Sequence, residues 1–201
     1  MKVKICGLTR EEDAVFAAAQ GADFLGVIFV PESPRCIDVE RAKSIRDAVG
    51  GTAKLVGVFR DQPIDVVRDT AERAGLDIVQ LHGHESDEDI VEIGVPVFKT
   101  LSVGETLPDT KSYPHAEWIL FDNRDSRGHG GTGQRFDWSL LALYERQKPF
   151  LLAGGITPDN AGAAISLVRP DALDVASGVE SAPGIKDHVK IEKLMERVRR
   201  A

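Results

Sequence analysis

The hydrophobic positions of the chain fall into short runs that are separated by longer amphipathic stretches. Several runs are apolar without strict alternation, which is typical of strands that are buried on both faces of a parallel sheet. These runs predict eight strands, over residues 2–6, 23–30, 53–59, 76–81, 95–101, 116–122, 148–154 and 170–177.

The stretches between the runs carry start signals of helices. Polar residues that can cap a helix stand before amphipathic segments, and Pro63 stands early in one of them, where proline is favoured. The predicted helices follow Thr9, Asp38, Asp61–Pro63, Ser86, Asp137 and Thr157, and the last helix covers 186–200.

The alternation of strands and helices predicts the fold. Eight strands with about eight helical connections favour an α/β fold, a single (β/α)8 TIM barrel domain over residues 1–201. The chain is short for that fold, so lean loops are expected. Segment 102–115 contains a glycine and two prolines, which predicts a shortened or irregular fifth helix. A doubly wound open sheet shows the same alternation and stays open as an alternative.

Composition and charge narrow the class of protein. The 201 residues are 42% hydrophobic and 28% charged, as in soluble globular proteins, and the net charge of -7 argues against a nucleic-acid partner. Two cysteines do not form a disulfide framework, so a cytoplasmic location is expected. No membrane partner is expected, because no apolar run reaches the ~18 residues of a membrane span, and the first residues lack the apolar core of a signal peptide.

The ends of the predicted strands carry the candidate chemistry. In a barrel the C-terminal ends of the strands share one face, and active sites lie there. A thiol, a guanidinium, an amide, an imidazole, two carboxylates and two glycine turns meet on this face. The candidates are Cys6, Arg35, Gln80, His82, Asp122, Gly154, Gly155, Asp174, Ser177 and Gly178.

Two glycine-containing loops predict a phosphate site. Gly154 and Gly155 follow the seventh strand and precede a helix, so their backbone N–H groups can approach an anion closely. Ser177 and Gly178 repeat this arrangement after the eighth strand. Loops after strands seven and eight form the recurrent phosphate site of barrel enzymes, which favours phosphate binding over simple tight turns.

Asp122 is the candidate general acid. It follows mostly apolar residues at the mouth of the barrel, where desolvation raises the pKa of a carboxyl group. A role in capping the next loop is the alternative. Asp125 is a competing candidate in the glycine-rich loop that follows. Its segment 128–133 (GHGGTG) either covers the site as a lid or connects two elements.

Arg35 and the histidines suggest ligands of different kinds. A guanidinium matches a carboxylate in a bidentate way, and Pro34 stiffens the loop that presents Arg35, although a surface arginine is the alternative. His82 and His84 form an H-x-H pattern that occurs in metal sites. Since no further ligands stand at recognised spacing, no metal is expected, and His82 is assigned to the pocket.

Ordered motifs over essentially the whole chain resemble the phosphoribosylanthranilate isomerase family. They are KICGLTR, GADFLGVIFVPESPR, VGVF, VQLHG, LFD, GGTGQRFDW, LLAGGITPDN and DVASGVESAPGIKD. The resemblance implies a (β/α)8 barrel and a place in tryptophan biosynthesis. It also implies the Amadori rearrangement of N-(5′-phosphoribosyl)anthranilate to 1-(2-carboxyphenylamino)-1-deoxyribulose 5-phosphate.

The same resemblance implies roles for individual residues. Cys6 is the expected general base, Asp122 the general acid and Arg35 the ligand of the anthranilate carboxylate. The two glycine loops are expected to hold the phosphate, and Asp174 and His82 match pocket positions of less defined role. No cofactor is expected, because the nitrogen of the substrate serves as the electron sink.

Other functions stay open beside this one. Another phosphosugar-handling barrel, either an epimerase or an indole-glycerol-phosphate lyase-like subunit, is the alternative among enzymes, and a non-catalytic phosphate-binding barrel is the alternative from another class. The expected partner is a phosphorylated small molecule, and the chain is either a monomer or a homodimer. Oxidation that joins Cys6 to Cys36 is a further hypothesis, because the first two loops of a barrel are neighbours.

Overall fold

The eight predicted strands form a closed parallel barrel in chain order. The computed structural model describes residues 1–123 and 137–201, so Asp125, the GHGGTG segment and most of the GGTGQRFDW motif lie outside the described residues. The first strand pairs with both the second and the eighth, and this closure excludes the open doubly wound sheet. The strands are β1 (Lys2–Ile5), β2 (Phe24–Ile28), β3 (Lys54–Phe59), β4 (Ile78–Leu81), β5 (Val97–Val103), β6 (Trp118–Asn123), β7 (Phe150–Leu152) and β8 (Ala172–Val175).

Six α-helices lie in the described part of the chain. Asp38 and Ser86 cap two of them as predicted, since each side chain accepts a hydrogen bond from the backbone N–H three residues later. Thr9 does not cap the first helix, because its hydroxyl donates to the carbonyl of Gly184. The helices are α1 (Glu11–Ala19), α2 (Val39–Val49), α3 (Ile64–Ala74), α4 (Asp87–Ile93), α5 (Ala161–Val168) and α6 (His188–Arg200).

The connections in the second half of the barrel are leaner than predicted. Residues 104–117, all of them described, form turns and bends without a helix, so the irregular fifth connection is confirmed in its extreme form. The helix predicted after Asp137 is a short 3-10 helix, Trp138–Leu143. An unpredicted antiparallel hairpin of β9 (Glu180–Ala182) and β10 (Ile185–Lys186) follows β8, so the last helix begins at His188 and not at residue 186.

The interior of the barrel is apolar at one end and polar at the other. Phe24, Phe98 and Trp118 contact one another with ring centroids 5.4–6.1 Å apart and close the N-terminal end. Because side chains alternate along a strand, positions two and four residues further on point inward at the opposite end. There the interior carries polar groups, including the buried side chains of Lys4 and Asp122. In the ranges described, no helix is long and apolar enough to cross a membrane.

Candidate active site

A cavity of about 400 Å³ opens at the C-terminal end of the barrel. The barrel brings six of the predicted site residues into its lining: Cys6, Arg35, Gln80, His82, Asp122 and Asp174. The four residues of the glycine loops lie outside this lining. The gathering of one thiol, one guanidinium and two carboxylates around one cavity is therefore confirmed, whereas the roles of these groups stay predictions.

Cys6 follows the last residue of β1 and lies at the floor of the cavity, with 6% of its surface exposed. Burial raises the pKa of the Cys6 thiol above its ordinary value, against the lowering effect of the Lys4 ammonium nearby. Gly26 of β2 makes room for both groups, since an added Cβ would lie 2.8 Å from Cys6 Sγ and 3.1 Å from Lys4 Nζ. The resting site therefore favours the protonated thiol.

Asp122 lies near the end of β6, beside His82 of the loop after β4. It is 4% exposed, and its Oδ1 accepts a hydrogen bond of 2.8 Å from the backbone N–H of Asn123. Its Oδ2 lies 3.6 Å from His82 Nε2. The carboxyl group thus faces the cavity from a largely desolvated position, which is the setting that its predicted role as a general acid needs.

His82 and His84 point in different directions, which separates the H-x-H pair. The side chain of His82 is 19% exposed and faces the cavity, while that of His84 is 96% exposed and lies beside Asp61. Within residues 1–123 and 137–201, no group of three or more His, Cys, Asp or Glu side chains is arranged to hold a metal ion. His82 lines the cavity, and its part in substrate binding stays a prediction.

His82 is held in its neutral form at neutral pH. Burial lowers the pKa of His82 to about 4 from its ordinary value of 6.5. In the unfolded chain His82 binds a proton below about pH 6.5, whereas in the folded chain it does so only below about pH 4. The free energy of unfolding therefore decreases as the pH falls from about 6.5 to about 4.

Comparison with a His82→Gln variant should isolate the contribution of His82 protonation to the pH dependence of the unfolding free energy. Between pH 7 and pH 4.5 we expect the wild type to lose about 2–3 kcal/mol more unfolding free energy than the variant. Urea denaturation at both pH values measures the difference, and carboxylates that titrate in both proteins cancel. An equal loss in the two proteins would contradict the assignment of a neutral buried imidazole.

Gln80 lines the cavity with a buried amide. It is 1% exposed, and its Nε2 donates a hydrogen bond of 3.1 Å to the hydroxyl of Thr100, which orients the amide. Gln80 Oε1 has no hydrogen-bond partner among the described residues. A buried acceptor without a partner costs folding free energy, so this amide is a destabilising feature of the barrel interior.

Arg35 does not stand alone in its loop, because it forms a bidentate ion pair with Glu180 of β9. Its Nε and Nη2 donate hydrogen bonds of 2.8 and 2.7 Å to the two carboxylate oxygens. Lys186 of β10 donates to the same carboxylate at 2.8 Å. Although burial favours the neutral acid, Arg35 and Lys186 hold the pKa of Glu180 below its usual range. The hairpin of β9 and β10, which the sequence did not predict, therefore fixes the orientation of the Arg35 guanidinium.

Gly7 supports the side chain of Arg35. Its φ of +73° lies in the left-handed region, and an added Cβ would lie 2.5 Å from Arg35 Cδ. In a Gly7→Ala variant we expect KM for the substrate to rise about tenfold with a smaller change in kcat, because a displaced Arg35 loses binding that ground and transition states share.

A matched control separates this effect from backbone strain. Gly50 ends α2 with a φ of +64°, and nothing lies within 4 Å of an added Cβ. Gly50→Ala therefore carries a similar strain without touching Arg35, and steady-state kinetics should show it unchanged. A wild-type KM in Gly7→Ala would show that Arg35 does not depend on this contact.

The two glycine loops adjoin each other at the rim of the barrel. Gly154 and Gly155 both have positive φ, of +82° and +68°. Gly178 packs directly against the backbone carbonyl of Ile156, so no Cβ fits there. Asn160 fixes the first loop, since its side chain accepts from the backbone N–H of Thr157 and donates to the carbonyl of Gly155. The loops are therefore adjacent and rigid, as a phosphate site requires.

The two cysteines are both free thiols. Cys6 is buried, whereas Cys36 is exposed and its Sγ lies 3.8 Å from the carbonyl of Ile37. The disulfide between them stays a hypothesis.

Comparison with known proteins decides the family. The model of the family described as N-(5′-phosphoribosyl)anthranilate (PRA) isomerase matches residues 3–197. The chain belongs to this family. A curated N-(5′-phosphoribosyl)anthranilate isomerase from Pseudomonas fluorescens is 42% identical to it, with 100% of this chain and 97% of the relative covered.

Solved structures of PRA isomerases agree with this assignment. The crystal structure of the Thermus thermophilus protein has a TM-score of 0.89 and 41% identity, and the match covers 100% of this chain and 99% of that chain. A second isomerase, solved in complex with reduced 1-(o-carboxyphenylamino)-1-deoxyribulose 5-phosphate, has a TM-score of 0.86 and 35% identity over 100% of both chains. The barrel fold and the resemblance found in the sequence are both confirmed.

The PRA isomerase site of this chain contains residues that sequence reasoning missed. They are Lys4, Gly26, Asn160, Glu180 and Lys186. Lys4 stands two residues before Cys6, so the alternation along a strand places both on the inward face, and this signal was available. Glu180 and Lys186 carried no local signal, because only the folded hairpin brings them to Arg35.

Proposed function

We propose that this member of the PRA isomerase family converts N-(5′-phosphoribosyl)anthranilate to 1-(2-carboxyphenylamino)-1-deoxyribulose 5-phosphate with Asp122 as general acid and Cys6 as general base. The observation that carries the proposal is the convergence of both groups and Arg35 on one cavity of about 400 Å³. The product-like ligand in the solved relative is of the same chemical class, an anthranilate joined to a phosphorylated sugar.

Asp122 acts first, on the sugar ring. Its carboxyl group gives a proton to the ring oxygen while the C1′–O bond breaks and the nitrogen lone pair forms a protonated Schiff base. The neutral His82, 3.6 Å away, keeps a second positive charge out of this step, since its pKa is about 4. Asp122 donates this proton from a buried position, since only 4% of its surface is exposed.

Cys6 acts second, on the open chain. The cationic nitrogen acidifies the C2′–H bond, so a thiolate is a sufficient base to remove this proton. The electrons of the C–H bond form the enolamine and neutralise the nitrogen. Tautomerisation of the enolamine, with a proton gained at C1′ and one lost from the C2′ hydroxyl, gives the ketone. The sulfur returns its proton to solvent or to the intermediate.

Arg35 and the glycine loops bind the two ends of the substrate. Arg35 donates to Glu180 through Nε and Nη2, and none of the described residues accepts a hydrogen bond from its Nη1 group. That group is thus available to the anthranilate carboxylate. At the other end of the substrate, the rigid loops at Gly155 and Gly178 offer backbone N–H groups to the phosphate.

The direct test is turnover of PRA by the purified full-length chain. Carbon-13 NMR of substrate labelled at C2′ should show a ketone signal that is absent with heat-inactivated protein. An inverted hydroxyl centre without a new ketone would favour an epimerase instead. Saturable binding of substrate without any chemical change would favour a non-catalytic barrel.

A further inference from the structure

The ammonium group of Lys4 lies against the thiol of Cys6 inside the barrel. Lys4 is completely buried, and its Nζ donates a hydrogen bond of 2.9 Å to Asp174 Oδ1. The Nζ of Lys4 and the Sγ of Cys6 lie around the same point, because a Cβ added at Gly26 would be 3.1 Å from the first and 2.8 Å from the second. Lys4 is not part of the cavity lining, so it acts on a bound substrate through the lining residues Cys6 and Asp174.

A charged group is required at this place if the thiol is to lose its proton. Cys6 is 6% exposed, and a buried anion without a partner is strongly disfavoured. Lys186, the other buried ammonium close to Cys6, donates to Glu180 and to the backbone carbonyls of Cys6 and Ala176. Each ammonium has one carboxylate partner, Glu180 for Lys186 and Asp174 for Lys4, but Lys186 contacts the backbone of Cys6, whereas Lys4 lies beside its sulfur.

We propose that Lys4 is a positioning residue for the catalytic base: oriented by Asp174, it stabilises the thiolate of Cys6 by charge and by a hydrogen bond. The proposal rests on the function proposed above, in which Cys6 removes the C2′ proton. Lys4 remains an ammonium throughout, and no proton leaves it. Asp174 is thereby assigned to hold Lys4, which gives its predicted pocket position a definite task.

The charge state of Lys4 agrees with this arrangement. Burial by itself favours the neutral amine, but Asp174 and Cys6 together raise the pKa of Lys4 above its ordinary value. The ammonium is thus the form of Lys4 at neutral pH. Burial still raises the pKa of Cys6 overall, even with Lys4 beside it, so the thiolate is a minor form in the resting site.

The test is the pH dependence of the alkylation of Cys6 by iodoacetamide, a reaction in which a thiolate displaces iodide. A Cys36→Ser background leaves Cys6 as the single thiol of the chain. In Lys4→Met we expect the midpoint of the rate profile to rise by about one pH unit or more. The kcat at pH 7 should fall about tenfold for each unit of this shift and recover as the pH is raised.

Lys99→Met is the matched control. Lys99 is also a fully buried lysine with a carboxylate partner, Glu85 at 2.7 Å, but its partners belong to the loop after β4. Its replacement should cost comparable stability and leave the midpoint of Cys6 unchanged. Should Lys4→Met fail to fold, the double variant Lys4→Met/Asp174→Asn leaves no stranded carboxylate. Its reference is Asp174→Asn alone, because the Asp174 charge by itself raises the pKa of Cys6, and its midpoint should lie above that reference.

The outcomes separate this proposal from the function on which it rests. A midpoint in Lys4→Met within 0.3 pH units (about a twofold change in thiolate population) of the wild type would overturn the role of Lys4, as would a midpoint in the double variant equally close to that of Asp174→Asn. An equal shift in Lys99→Met would show a general loss of packing and would overturn it as well. The alkylation needs no turnover, so an active Cys6→Ala variant would reject Cys6 as the base whatever the titration shows.

Discussion

Replacement of Asp122 by asparagine should lower kcat by about 10²–10⁴-fold, the usual contribution of general acid–base catalysis. The amide has nearly the same shape and still accepts the hydrogen bond from the backbone N–H of Asn123. It has no acidic proton for the ring oxygen, so ring opening loses its acid. Affinity for a product analogue, measured by calorimetry, should stay close to that of the wild type.

Asp171→Asn is the control for this variant. Asp171 also accepts a backbone hydrogen bond, from Phe150 at 2.9 Å, but it lies at the opposite end of the barrel. The kcat of the Asp171→Asn variant should match that of the wild type. If Asp122→Asn keeps more than about a tenth of the wild-type kcat, well short of the usual acid–base contribution, Asp122 is not the acid. Asp125, which the sequence analysis left as a competitor, is then the residue to replace.

Replacement of Cys6 should have an effect of similar size. In Cys6→Ala and in Cys6→Ser, kcat should fall by about 10²–10⁴-fold, because neither a methyl group nor a hydroxyl removes the C2′ proton at neutral pH. Substrate binding should persist, since Glu180 holds Arg35 and Asn160 fixes the first glycine loop.

A Cys36→Ser variant is the control for the Cys6 variants. Cys36 is exposed, so Cys36→Ser should keep full activity. Exchange of the C2′ hydrogen with deuterated solvent, followed by NMR, reports on proton removal apart from the later steps and should vanish in Cys6→Ala. Wild-type exchange in both Cys6 variants would assign the base to another group.

The strand pattern predicted the barrel because burial on both faces leaves a signature in local sequence. All eight predicted strands exist, each within or close to its predicted range. Closure was not encoded locally, since it depends on the pairing of β1 with β8, which are about 170 residues apart along the chain. The helices followed their cap residues at Asp38 and Ser86, where the signal is one short-range hydrogen bond at Asp38 and a reciprocal pair with Asp89 at Ser86.

The unpredicted parts share a physical cause. The hairpin of β9 and β10 is only a few residues long, so its hydrophobic pattern is too short to recognise. Thr9 looked like a helix cap, but tertiary structure offered its hydroxyl a partner at Gly184 instead. In both places long-range contacts outweighed local preference.

The sequence by itself determined the elements, the strand ends that carry chemistry and, through ordered motifs, the family. Alternation along a strand and loop composition are local properties, so they can be read from the order of residues. Only the tertiary structure decided the partners: Glu180 for Arg35, Lys4 and Asp174 around Cys6, and a neutral His82 beside Asp122. Partners and pKa shifts depend on burial and on charges brought together from distant segments, and these exist only once the barrel has closed.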